Sequence, residues 1–60
     1  PNPSTGDIYF KTEVDLKVYD MIGKLILEAH KVSSINLNKG LYLIKITKEN
    51  LNLTTKVIVR

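Results

Sequence analysis

The chain has 60 residues, of which 43% are hydrophobic, and a formal net charge of +3. This length suffices for one domain, and such a domain buries only about 60% of the surface that its unfolded form exposes. The sequence contains no cysteine, which excludes disulfides, thiolate nucleophiles and zinc sites built on cysteine pairs. Its longest apolar runs are far shorter than the roughly 18 residues that a membrane-spanning helix needs. We therefore expect no membrane insertion.

The distribution of basic residues also limits the possible partners. The nine lysines and arginines are spread singly along the chain, whereas nucleic-acid-binding domains carry basic clusters. No nucleic-acid partner is expected. The chain begins at Pro1 without a leader segment, and we expect residues 1–60 to be a single domain cut from a longer polypeptide.

The first predicted element is a turn over "PNPSTGD", residues 1–7, because prolines disfavour a helix and the small residues support turns. A strand is predicted to start at "IYFK", residues 8–11. A second strand follows, in which Val14, Leu16 and Val18 alternate with polar residues. This period of two indicates a strand with one buried face.

A hairpin is predicted over "VYDMIGKLIL", residues 18–27. Asp20 can accept backbone hydrogen bonds and Gly23 can adopt a positive φ, so the spacing predicts a type I turn that closes on a glycine bulge. Met21 and Ile22 are apolar at the tip. They either fold back and cover the end of the core, which we favour because capping of sheet ends is common, or form an exposed recognition surface.

The polar segment "EAHKVSS", residues 28–34, is predicted to be a loop or an irregular crossover. In the following "INLN", Ile35 and Leu37 are predicted to share one face. Gly40 then interrupts the run.

The last part of the chain predicts two strands. In "LYLIKIT", residues 41–47, the alternation places Tyr42, Ile44 and Ile46 on one face, and this is the strongest candidate for a central strand. "KENLN" predicts a turn, and the alternating "LTTKVIVR" predicts the closing strand. Six or seven short strands separated by turns indicate an all-β fold, a small antiparallel sandwich, with a partly open barrel as the alternative.

Candidate catalytic residues are sparse. His30 is the single histidine and lies in the polar segment, so a metal cluster and a histidine-based nucleophilic site both lack partners. We interpret it as a solvated loop residue. The acids are interpreted as partners of the lysines, since so small a sandwich has little volume for a cleft. No enzymatic activity, cofactor or metal site is predicted.

Four motifs occur in a specific order: "PNPSTG", "LKVYDMIGKLIL", "INLNKGLYLIKI" and "TTKVIVR". In sequence and spacing, nearly the whole chain resembles the type A C-terminal sorting domain of the type IX (Por) secretion system of Bacteroidota. The residues that match the family's motifs are Pro1, Asn2, Pro3, Gly6, Tyr19, Asp20, Gly23, Lys24, Lys39, Gly40, Tyr42, Lys56 and Val57.

The resemblance implies an immunoglobulin-like β-sandwich and a role in export. Such domains sit at the C-terminus of a cargo that reaches the periplasm by a signal peptide. They direct it through the outer-membrane translocon to the cell surface or the medium, and a sortase-like surface protease commonly removes them. The implied partners are thus the translocon, that protease and an upstream cargo domain.

Two segments are candidate translocon contacts. One is the tip, Met21 and Ile22. The other is the last strand, through the charges of Lys56 and Arg60 or by strand pairing, although Val57 and Val59 can equally be explained as core residues.

The alternative function is a non-catalytic adhesion module that binds carbohydrate or protein within a surface protein. The chain has four aromatic residues and no tryptophan, which argues against a sugar-stacking platform.

Overall fold

The computed structural model describes residues 6–60, which form one antiparallel sheet of four strands. The strands are β1 (Gly6–Tyr19), β2 (Leu25–Leu37), β3 (Gly40–Lys48) and β4 (Leu51–Val59). Their order across the sheet is β2-β1-β3-β4. In this described part of the chain, no helix is long and apolar enough to cross a membrane.

The β3–β4 hairpin is regular. Its pairing runs without a shift from Gly40 opposite Val59 to Lys48 opposite Leu51, and the connecting Glu49 has a φ of 51°. β3 pairs with β1 on its other side, so the prediction of a central strand at residues 41–47 is confirmed.

The β1–β2 hairpin is irregular and pairs in two blocks. Near the turn, β1 residues 14–19 pair with β2 residues 25–32, and at the far end residues 6–9 pair with residues 34–37. Between the blocks β1 contains four residues, 10–13, where β2 contains only Ser33, so the bulge is larger than the one extra residue of a simple β-bulge. A bulge bends a strand without ending it.

Asp15 lies beside a second irregularity. Lys31 has a φ of 55°, and its backbone N–H donates a 2.8 Å hydrogen bond to Oδ1 of Asp15. This side chain therefore satisfies a backbone donor where the ladder of β1 and β2 is interrupted.

The core lies on one face of the sheet. Val14, Leu16 and Val18 of β1 are buried there, as the alternation predicts. The far block adds two residues, Ile35 and Leu37, whose predicted shared face is also confirmed. The remaining buried residues are Ile44 of β3 and Val59 of β4.

The described residues form four antiparallel strands in one sheet, so the all-β prediction is confirmed and the expected six or seven strands are not seen in this part of the chain. Residues 8–11 and the alternating Val14, Leu16 and Val18 were expected to lie in separate strands, but all of them belong to β1, which continues through the irregularity between them. Gly6 and Asp7 likewise lie in β1 and not in an opening turn, whose other residues fall outside the described part of the chain.

The polar segment 28–34 is also not a loop, since it lies within β2. β2 is at the edge of the sheet, where polar side chains on the solvent side are tolerated. Polarity alone therefore does not distinguish an irregular edge strand from a loop.

Candidate functional site

The turn between β1 and β2 is held by four hydrogen bonds that involve Asp20. Its carbonyl accepts from the N–H of Gly23 at 3.1 Å, and its own N–H donates to the carbonyl of Lys24 at 3.0 Å. Its Oδ1 accepts from the N–H of Ile22 at 3.0 Å and of Lys24 at 2.9 Å. Gly23 has a φ of +93°, which favours glycine. The predicted turn with a closing glycine is therefore present.

The tip of this turn is exposed. Ile22 is 88% and Met21 46% exposed, and neither belongs to the set of residues that pack around the core. The favoured interpretation, in which both side chains cover the end of the core, is therefore wrong. A turn that points beyond the last ladder pair, Tyr19 opposite Leu25, carries its side chains away from the sheet.

Next to the turn, the sheet face opposite the core carries apolar side chains. Tyr19 of β1 pairs with Leu25 of β2 on one side and with Leu43 of β3 on the other. In the next row, Leu41 of β3 pairs with Ile58 of β4. We call these five residues the open-face patch.

Three lysines lie on the same face. Lys17 is directly opposite Lys45, and Lys56 is directly opposite Leu43. Nζ of Lys45 lies 5.3 Å from the ring centroid of Tyr19, which is within cation–π range. All three lysines are exposed, as is Arg60. We call Lys17, Lys45 and Lys56 the lysine row.

The "KG-x-Y" motif has a structural explanation at the β2–β3 connection. The hydroxyl of Tyr42 donates a 2.8 Å hydrogen bond to the carbonyl of Asn38. A Cβ atom on Gly40 would lie 3.0 Å from that hydroxyl oxygen. A glycine here leaves room for the tyrosine, while Lys39 is exposed at the connection.

His30 lies on β2 between two carboxylates. Its Nδ1 is 3.8 Å from Oδ1 of Asp15 and its Nε2 is 3.5 Å from Oε2 of Glu28. The histidine is solvated as expected, with its side chain 68% exposed, but it lies in a strand and not in a loop. Among the described residues no group of three metal-ligating side chains comes together.

The acidic residues were expected to pair with lysines, but the described part of the chain contains no such pair. Within residues 6–60 the contacts between basic nitrogens and carboxylates are those of His30, and no lysine nitrogen lies within ion-pair distance of a carboxylate. The lysine row is therefore left without a bound carboxylate in the described part of the chain.

A family described as "Secretion system C-terminal sorting domain" matches residues 1–60, which is the whole chain. The chain belongs to this family. It is thus a C-terminal sorting domain of the type IX secretion system, the signal by which cargo proteins are exported to the cell surface or the medium. No curated protein and no solved structure matches it significantly.

The motif residues of this sorting domain lie in separate parts of the fold. Tyr19, Asp20, Gly23 and Lys24 form or flank the turn, whereas Gly6 lies at the far end of β1. Lys56 and Val57 lie on opposite faces of β4, with Val57 against the core. Pro1, Asn2 and Pro3 are outside the described residues.

Sequence reasoning missed the open-face patch. The adjacent Leu25, Ile26 and Leu27 and the second apolar face of β3 were its signals. The run of Leu25, Ile26 and Leu27 is typical of partial burial on both faces, but the residues opposite each of these side chains depend on strand order and register, which no local pattern contains.

Proposed function

We propose that this sorting domain carries its cargo, in a member of the Bacteroidota, from the periplasm to the outer-membrane translocon of the type IX system. Residues 1–60 are a single domain at the C-terminus of a longer secreted protein, and a sortase-like protease acts on it at the cell surface. The domain itself is a recognition element without catalysis. The family match and the exposed position of the single histidine support this proposal.

The exposed tip is the observation that carries the proposed contact. Ile22 is the most exposed of the large hydrophobic residues in the described chain. The Asp20 hydrogen bonds fix the backbone on both sides of it. An apolar side chain on a fixed backbone loses only its own rotamer freedom on binding, so it suits an anchor in a partner's pocket.

Lys56 and Arg60 form the second candidate contact. Lys56 lies on the open face of β4, and Arg60 is exposed directly after the strand ends at Val59. This edge strand has no partner on its outer side within the described sheet, so strand addition is geometrically open as well. If the translocon recognises these charges, the double variant Lys56→Gln with Arg60→Gln lowers export. The variant remains folded, because Val59 is unchanged and stays buried.

We further propose an immunoglobulin-like sandwich arrangement. The bulges divide β1 and β2 into two blocks each, which together with β3 and β4 makes six strand segments. The far block reaches the end of β4, where Gly6 lies against Val59. Ile35 and Leu37 then face Ile44 and Val59 across a shared core.

An export assay tests the proposed function. A reporter carrying a signal peptide and ending in residues 1–60 is expressed in two strains, one with a working type IX translocon and one without. The reporter is expected outside the first strain only. Retention of an intact, folded reporter inside both strains would contradict the proposal.

A further inference from the structure

The open-face patch is an apolar surface that the fold leaves uncovered. Leu25, Leu41 and Ile58 are between 38% and 57% exposed, and with Tyr19 and Leu43 they extend over all four strands. An antiparallel sheet with one solvated face normally carries polar residues there. A contiguous exposed apolar patch with a polar rim is typical of an interaction site.

Two lysines of the lysine row have no carboxylate opposite them in the ladder, since Lys45 lies between Lys17 and Thr54 and Lys56 lies opposite Leu43. Lys17 and Lys45 are directly opposite each other, and like charges in that position destabilise a pair of strands. Lys17 has Glu28 of β2 opposite it on its other side. Oε2 of Glu28 lies 3.5 Å from Nε2 of His30. Positive charge thus accumulates at the border of the apolar patch.

A cavity of about 270 Å³ lies between the patch and the row. It is lined by Tyr19, Gly23, Leu43 and Lys45. Gly23 has no side chain to fill it, and nothing lies within 4 Å of where a Cβ atom would be. The cavity is open to solvent on one side, and its volume gives room for a single apolar side chain.

We propose that the open-face patch docks an acidic protein segment that inserts one apolar side chain into this cavity. Carboxylates beside that anchor meet the lysine row and neutralise its charge. This inference rests on the proposed function only in assigning the segment to the export machinery. A second copy of the chain fits poorly, because a two-fold interface would bring the lysine rows together.

A peptide titration of the cargo fusion tests the docking site directly. The probe is a short peptide with one leucine among glutamates, carrying a neutral fluorophore, and the matched peptide has glutamines in place of the glutamates. We expect the acidic peptide to bind more tightly by about tenfold and to weaken as salt is added. Equal binding of the two peptides, or no binding of either up to the millimolar range, would overturn the proposal.

Variants locate the site. Lys45→Glu with Lys56→Glu is expected to weaken the acidic peptide by at least about tenfold, and Leu43→Ser to weaken both peptides. Lys11→Glu with Lys39→Glu changes the net charge equally outside the patch and is expected to have little effect. If this control weakens binding as much as the lysine-row variant, general charge attraction is the cause and the docking site is wrong.

Two further readouts separate the explanations. Vesicles of anionic phosphatidylglycerol test a lipid surface, and binding to them without binding to the acidic peptide would overturn the proposal. Export of the unaltered fusion by a strain that lacks the translocon would contradict the proposed function alone, because the titration does not use the translocon.

Discussion

Gly6 and Val59 lie so close together that a side chain at residue 6 has no room. A Cβ atom on Gly6 would stand 2.6 Å from Cγ1 of Val59, although one residue is near the start of the chain and the other near its end. This contact joins the far block of the β1–β2 hairpin to the last strand. It gives the glycine of the "PNP-x-x-G" motif a packing role.

Gly6→Ala is accordingly expected to lower the free energy of unfolding by about 1–3 kcal/mol, the usual cost of overpacking. The added methyl group must displace Val59, which is buried in the core. A urea titration measures the loss. Val59→Ala removes the clashing methyl groups, so Gly6→Ala should cost clearly less in that background, and equal costs in both backgrounds would show that the contact is not the cause.

Asp20→Ala is expected to destabilise the domain by about 1 kcal/mol, because two backbone N–H groups at the turn lose their side-chain acceptor. Asp20→Asn keeps an acceptor oxygen at the same place and is the matched control. Thermal unfolding of the two variants should separate them. If the alanine and asparagine variants unfold together with the unaltered domain, the side-chain bonds contribute nothing.

Tyr42→Phe tests the hydrogen bond that closes the β2–β3 connection. The ring stays in place but the 2.8 Å bond to the carbonyl of Asn38 is lost, and the expected cost is about 1 kcal/mol. Amide exchange around residues 38–42 should accelerate in this variant. Unchanged exchange there would mean that the hydroxyl does not hold the connection.

Ile44 and Leu53 provide a matched pair for locating the core. Both lie on the core face, but Ile44 is 1% exposed and Leu53 is 53% exposed. Ile44→Ala is expected to cost about 2–5 kcal/mol, as in other fully buried sites, whereas Leu53→Ala should cost well under half as much. Similar losses for the two variants in urea titrations would contradict the arrangement of the core.

The sequence predicts the regular hairpin of β3 and β4 well. Alternation in residues 41–47 and 53–60 identifies β3 and β4 with their buried faces, since each strand pairs without a bulge and its period of two is unbroken. The turn at Asp20 is equally local. The turn depends on the carboxylate of Asp20 and on Gly23, which is three positions later in the chain.

The irregular hairpin of β1 and β2 is less predictable from the sequence. A bulge between Tyr9 and Val14 breaks the period of two without ending β1, so one bent strand gives the pattern of two short ones. The exposure of Ile22 and the row that joins Leu25, Tyr19 and Leu43 depend on tertiary geometry. Hydrophobicity alone assigns such residues to the core.

The central claim is that the export machinery recognises the exposed tip of the turn between β1 and β2. The double variant Met21→Asp with Ile22→Asp tests this claim most directly. Because both side chains are exposed, the double variant should keep nearly the melting temperature of the unaltered domain. Secretion of the cargo fusion by a translocon-competent strain is the measurement, with Lys11→Gln as the control. We predict loss of export from a folded variant and normal export of the control. Normal export of the folded double variant would contradict recognition through the tip.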